Sequence, residues 1–429
     1  MKSLPIDGLT RKTKDETMDS PSSVREGSQW SPSYEKKAVG LLALGFGLVG
    51  LDRFIINPLF PVMAKDLGLS YRDMGLISAV LALAWGLSSI FTGRLSDRIG
   101  RKKVLVPAVV VFSLLVATSG LATGLLSLLV IRGLMGLAEG AYVPASIVST
   151  IEASKPSRIG LNIGIQQMAA PLVGLGFGPV VAVFLLQVLP SWHWVFGVVA
   201  VPGLIVAWLI ARTLRDGAIE AEVSTEFKSA WWSVLRYRNV VFSTLGMCAF
   251  LSCLIVLSAF MPSYLTDHLK LGLDQMGLVL AGLGVGSFIG MVVVPAVSDR
   301  VGRKMTMVIA LAIELAALSL LPAIGPEPAK LFAVLFAATF MNAGVVAITV
   351  GPLTHASVPE RLATTATGIV VGLGEVVGGA VAPALAGAWA QSVGITVIPK
   401  IALVAIVAAL VIVVLGIREP QARQWQAAG

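Results

Sequence analysis

GRLSDRIGRK at residues 93–102 and AVSDRVGRK at residues 296–304 are two copies of one polar phrase, each following a long apolar run. Asp97 and Asp299 stand 202 residues apart in a chain of 429, so the repeat divides it into two halves of similar size. Outward from these copies the sequence is apolar almost everywhere. Hydrophobic residues make up 56% and charged residues 13%, against about 45–50% and about 25% in a soluble domain. The mean hydropathy is +0.86. A soluble chain has nowhere to put that much apolar surface, which excludes a soluble enzyme or binding module.

A helix needs about 20 apolar residues to cross the hydrocarbon core. Twelve such runs are found, near 38–63, 74–93, 104–122, 124–147, 159–188, 193–211, 240–264, 275–297, 305–322, 331–353, 363–390 and 397–416. The break inside 104–147 rests only on Ser119-Gly120 and Thr123-Gly124. The fold class expected is an all-α polytopic membrane protein, twelve transmembrane helices in two pseudo-symmetric six-helix bundles. The organisation reads as a disordered cytoplasmic tail at 1–36, a first bundle at 37–213, a linker at 214–239, a second bundle at 240–417 and a short tail at 418–429. The first stretch is polar and mixed in charge, unlike a signal peptide.

Charge placement supports this count. With both termini cytoplasmic, 25 of the 32 Lys and Arg fall on the cytoplasmic side and 5 on the other, the bias that the positive-inside rule requires. The net charge of +8 therefore reads as topology, and no nucleic-acid partner is expected. Cys248 and Cys253 share one apolar run, so they suggest neither a disulfide framework nor a metal site. His193, His268 and His355 are far apart, and no phosphate-binding loop or metal-ligand run is present. No enzyme, metal or cofactor is expected. Related halves with a site between them are a transporter architecture.

The phrase at 93–102 and its shorter copy resemble the signature loop of the major facilitator superfamily, and the resemblance covers the twelve runs. It implies two bundles that rock about a central cavity. It also implies a gating role for Gly93, Asp97, Arg98, Gly100 and Arg101, and for Asp299, Arg300, Gly302 and Arg303 in the second copy. Leu51-Asp52-Arg53 in the first run and the Arg132 to Glu139 segment in the fourth resemble the anion:cation symporter branch, which includes proton-coupled carriers of sugar acids and organic acids. That resemblance implies that Arg53 and Arg132 contact a substrate carboxylate and that Asp52 and Glu139 take part in proton coupling. The segment from Gly174 to Pro179 partly resembles the antiporter motif of drug exporters, with Ala182 and Val183 where its last glycine pair belongs.

The residues support a buried charged site without the resemblance. Counting from Lys37, Asp52 and Arg53 lie roughly 22–24 Å along their helix, near mid-membrane. A charge there costs ~2.5–3.5 kcal/mol on insertion scales, so it is paired, functional or both. Arg132 and Glu139 are two turns apart, on one face and roughly 10 Å from each other. Arg53 and Arg132 are expected to pair with Asp52 and Glu139 until an entering carboxylate displaces one acid, which then takes a proton. Glu375 is a further proton site or a packed polar group, Gln166, Gln167 and Asn342 are candidate ligand contacts or interhelical contacts, and Glu314 is structural or peripheral. The second half offers mostly apolar side chains, which suits an amphipathic monocarboxylate better than a sugar acid.

The function expected is proton-coupled import of an organic anion by alternating access, across the inner membrane of a bacterium, by a monomer. The alternatives are a drug:proton antiporter and, from another class, a nontransporting membrane sensor.

Overall fold

The computed structural model describes residues 30–215 and 233–419, apart from the side chains of Ile90, Gly93, Arg94, Asp97, Arg98, Glu360 and Arg361. Twelve long helices follow one another in short-looped order. They are α1 (Pro32–Leu67), α2 (Tyr71–Ile99), α3 (Arg101–Ser119), α4 (Leu125–Ala153), α5 (Pro156–Val188) and α6 (Trp192–Thr213), then α7 (Arg238–His268), α8 (Leu273–Val301), α9 (Arg303–Ala323), α10 (Pro328–Ala356), α11 (Leu362–Val393) and α12 (Ile395–Gly416). Eleven are long and apolar enough to cross a membrane, and α2, at 29 residues, completes the set. The uncertain break in the first half falls between Ser119 and Leu125. Most of the expected tail at 1–36 and of the linker lies outside the described residues. Residues 32–36, however, already belong to α1, whose first turn holds the buried Glu35.

Local chemistry explains the ends. The Ser70 hydroxyl accepts from the Asp73 amide while the Asp73 carboxylate accepts from the Ser70 amide, a reciprocal cap that starts α2. Gly100 and Gly302 close α2 and α8 with φ of +99° and +100°, a conformation costly for any residue with a Cβ. This is why each copy of the repeated phrase carries a glycine there. Glu419, just past α12, accepts from the backbone amides of Arg303 and Lys304 at 2.7 and 2.8 Å, satisfying orphan donors at the start of α9. In the second copy of the phrase Arg303 pairs with Asp299. Arg101 pairs with Glu152 at the end of α4. Gly93, Asp97 and Arg98 lie outside the described residues.

Within each half the closest helix pairs are α2 with α4 and α8 with α10. Gly136 and Gly140 of α4 lie against the backbone of Leu81 and Trp85, and Gly286 and Gly290 of α8 against that of Phe336 and Phe340. Small residues let backbones approach where lipid supplies no hydrophobic drive for association. The halves meet along α2–α11, α5–α8 and α1–α7. Gly284 of α8 lies against the backbone of Gly176 on α5, and Gly75 of α2 against Pro383 on α11. Tyr71 donates to Asp267 at 2.8 Å, and Gln187 bonds Asp274. All of these contacts lie in the membrane half opposite the chain termini. Nearer the termini, Gly86 of α2, Gly160 and Gly164 of α5, and Gly368 and Gly372 of α11 face open space. Helix α2 packs on the Glu375–Val393 part of α11, and α8 mainly on the Pro171–Val188 part of α5, so the halves are closed together at one end and parted at the other.

Candidate functional site

Two features of α1 place its charges. Pro58 and Pro61 lack amide hydrogens, so the carbonyls of Phe54 and Asn57 lose their helical partners, and the helix breaks its regular path at Ile55. The break sits directly after Asp52 and Arg53. Arg132, 1% exposed on α4, reaches across to it, with Nη1 donating to the Asp52 carbonyl at 2.9 Å. An arginine satisfying backbone at a kink keeps both guanidinium and carbonyl out of lipid.

Arg53 turns the other way. Its Nη2 donates to Glu375 Oε2 at 2.7 Å, an ion pair that crosses from the first half to the second. The guanidinium also lies 5.6 Å from the Phe54 ring and 6.0 Å from the Trp85 ring, within cation–π range. This corrects the expected pairing of Arg53 with Asp52 or Glu139: the partner is 322 residues away. Asp52 is 3% exposed and makes no side-chain hydrogen bond among the described residues. Glu139 is fully buried, and neither carboxylate oxygen has a hydrogen-bond partner. It sits within electrostatic reach of both Arg53 and Arg132 without bonding either.

Where these helices converge there is a small cavity. Arg53 and Arg132 line it, and no carboxylate does. Its apolar wall includes Phe54, Ile77 and Leu81 from the first half and Ile255 and Ala259 from α7. Asn57, Ser78 and Ser258 add neutral polar groups. A second small pocket shares Phe54, Asn57 and Ser258 and extends between α5 and α8. Sequence reasoning missed these three. Asn57 had a signal, being an amide one residue before a proline in an apolar run, whereas Ser78 and Ser258 are common enough in helices to carry none.

The other candidates lie elsewhere. Gln166 is fully buried between α4 and α5, accepting from Thr150 and donating to Ser146, both at 2.7 Å. Asn342 donates to Glu314 at 2.9 Å on the α9–α10 side of the second half. Gln167 is half-buried and lines neither pocket. Tyr142 donates to the Leu42 carbonyl at 2.9 Å, a bond that holds α4 to α1. Among the described residues no cluster of His, Cys, Asp and Glu could hold a metal ion. What the site offers is a pair of arginines lining a small space of mixed polar and apolar character, with three carboxylates close behind.

Comparison with known proteins agrees with this architecture. A hexuronate transporter of Bacillus subtilis is 30% identical over 282 residues, 63% of this chain and 66% of its own length, so the match spans just under two thirds of that relative. A sialic acid transporter of Escherichia coli is 27% identical over 366 residues, covering 82% of this chain and 86% of its own. Among solved structures, a bacterial homologue of the human lysosomal transporter Spinster superposes with a TM-score of 0.70 at 17% identity, over 90% of this chain and 96% of that one. The profile of the Major Facilitator Superfamily matches residues 42–376 and, in a second alignment, 256–429. With twelve helices in two packed halves and that match across most of its length, the chain belongs to the major facilitator superfamily.

Proposed function

We propose that this membrane transporter carries a small organic carboxylate together with protons, importing it across the bacterial inner membrane with both termini in the cytoplasm. The observation that supports this most is the cavity lining: two arginines line it and, among the described residues, no carboxylate does. A planar guanidinium matches a carboxylate through paired hydrogen bonds. A cavity of this kind repels the lipophilic cations that a drug exporter must hold. Arg53 and Arg132 bind the carboxylate, and Asn57, Ser78 and Ser258 meet polar groups on its body.

Asp52 and Glu139 take part in proton coupling in this reading. Among the described residues neither buried carboxylate has a side-chain hydrogen-bond partner, and both lie close to arginines whose positive charge a substrate anion would share. Charge in the membrane interior is tolerated only when compensated, so an entering anion favours protonation nearby. Alternating access follows from closing the parted ends of α2, α5 and α11 while the α5–α8 and α2–α11 contacts at the other end separate.

The test is uptake into proteoliposomes. With an inward proton gradient, glucuronate, N-acetylneuraminate or gentisate should accumulate, and the medium should turn alkaline as it does. Accumulation of none of them, with gradient-driven movement of a lipophilic cation instead, would replace this reading with an exporter.

A further inference from the structure

We infer that Glu375 is an internal stand-in for the substrate carboxylate, holding Arg53 until the substrate replaces it and then carrying one proton. The inference rests on the carboxylate reading above and adds to it a defined competitor.

Four observations carry it. First, the pair joins the halves. The other ion pairs found among the described residues, Arg101–Glu152, Arg158–Glu35, Arg303–Asp299 and Lys330–Glu327, each lie within one half. Second, Arg53 lines the cavity and Glu375 does not. The carboxylate therefore reaches the guanidinium from behind the wall and leaves the cavity side to the substrate. Third, Glu375 opens a π-helical segment, Glu375–Val381, inside α11, the kind of local widening that often marks functional positions. Fourth, Gly379 makes room for the pair. A Cβ there would stand 2.6 Å from Glu375 Oε2 and 3.4 Å from Arg53 Nη2.

Among the described residues Arg53 is the cation that pairs with Glu375. The charged and titratable groups near the pair are Asp52 on α1, Arg132 and Glu139 on α4, and the Cys248 thiol on α7, which is engaged with the Leu373 carbonyl. The α2 wall supplies Ala79 and Ala82. Once displaced, the carboxylate is left buried without its paired guanidinium, and a bare charge there is costly. The step balances simply. A substrate carboxylate takes up the hydrogen bonds of Arg53, the Arg53–Glu375 pair opens, and one proton from the bulk binds the freed Glu375. No covalent bond in the substrate changes, and the net charge of the site is the same before and after. On release, Glu375 gives up its proton and returns to Arg53, so a carrier returning without cargo does not drag a bare guanidinium through the closed state. One proton accompanies each monocarboxylate, and a dicarboxylate requires another.

An internal competitor lowers apparent affinity by the fraction of time it holds the site. If Arg53 is free in about one carrier in ten, removing Glu375 tightens binding about tenfold. The experiment titrates wild type, Glu375→Gln and Glu375→Ala with glucuronate, N-acetylneuraminate and gentisate, and reconstitutes each for net uptake and counterflow. The probe that binds wild type should bind both variants about tenfold tighter, with counterflow retained and net uptake lost. Calorimetry of wild type in buffers of different ionisation enthalpy should show one proton taken up per monocarboxylate, a reading that survives if the variants do not fold. Equal or weaker binding in both variants, proton-driven net uptake without Glu375, or no proton uptake by wild type overturns the inference. If none of the three probes binds any of the proteins, the carboxylate reading itself falls.

Discussion

Gly284 is where the two halves come closest, and filling its space should drive them apart. A Cβ at this position would sit deep inside the contact distance of Gly176 N, Gly176 Cα and the Leu175 carbonyl carbon. All three are backbone atoms, so no rotamer relieves the clash. Carbon atoms rest about 3.5–4.0 Å apart, so α5 and α8 must separate by about 1 Å or more to admit one methyl group. Overpacking of this kind costs about 1–3 kcal/mol. The cost falls only on the conformation in which α5 and α8 touch at that end. Gly284→Ala should therefore shift the conformational equilibrium about 5- to 150-fold toward the state open on the side opposite the termini. Spin labels at Leu189→Cys and Lys270→Cys, in a Cys248→Ser, Cys253→Ala background, report the separation by pulsed electron paramagnetic resonance. The variant should show a longer, more populated distance than its parent. An unchanged distribution, with transport intact, would refute the claim that the α5–α8 glycine crossing closes this end.

Other substitutions probe the site and its supports. Arg132→Ala removes the guanidinium bound to the Asp52 carbonyl and leaves Asp52 and Glu139 without it, so thermal unfolding in detergent should show a loss of about 3–5 kcal/mol, with transport abolished. Arg132→Lys should fold better yet transport poorly, since an ammonium lacks the fork that spans backbone and cavity. Gln166→Ala deletes two buried bonds between α4 and α5 and should cost about 1–3 kcal/mol while leaving the affinity for a bound carboxylate unchanged; a large affinity loss would return Gln166 to the binding site. Glu314→Gln should leave transport unaffected and raise the melting temperature, because Glu314 Oε2 and Asn342 Oδ1 are buried acceptors without a donor and the amide supplies one. Asn342→Ala should lower it.

The sequence carried the architecture because apolar runs of membrane length and a repeat at 202 residues are both linear signals. Helix ends were less legible: the apolar runs stop at 93 and 297, whereas α2 and α8 continue through the repeated phrase to Ile99 and Val301, where Gly100 and Gly302 close them. The same holds at the start of α1, where Tyr34-Glu35-Lys36-Lys37 reads as a solvated tail. There Glu35 is buried because Asn162 and the Lys155 amide bond its carboxylate at 2.8 and 3.2 Å, partners over a hundred residues away. The candidate site divides along the same line. That Asp52, Arg53, Arg132 and Glu139 form one buried group follows from charges at mid-membrane depth on two helices. That Arg53 pairs with Glu375 does not, since no spacing rule connects positions in different halves. Gln166 and Asn342 show the limit most plainly. A polar side chain in a membrane helix must find a partner, but whether that partner is a ligand, a hydroxyl on the next helix or a buried glutamate is decided by packing alone.

The account stands or falls on whether a carboxylate binds at Arg53. Thermal stabilisation of the purified protein by gentisate, glucuronate, N-acetylneuraminate and a set of lipophilic cations, in wild type and in Arg53→Ala, tests this most directly, because a ligand that binds the folded state raises its stability in proportion to the logarithm of its concentration above Kd. Stabilisation by a carboxylate, stronger at acidic pH and absent in Arg53→Ala, is the predicted result. Stabilisation by the cations alone, or by a carboxylate equally well in Arg53→Ala, would contradict it.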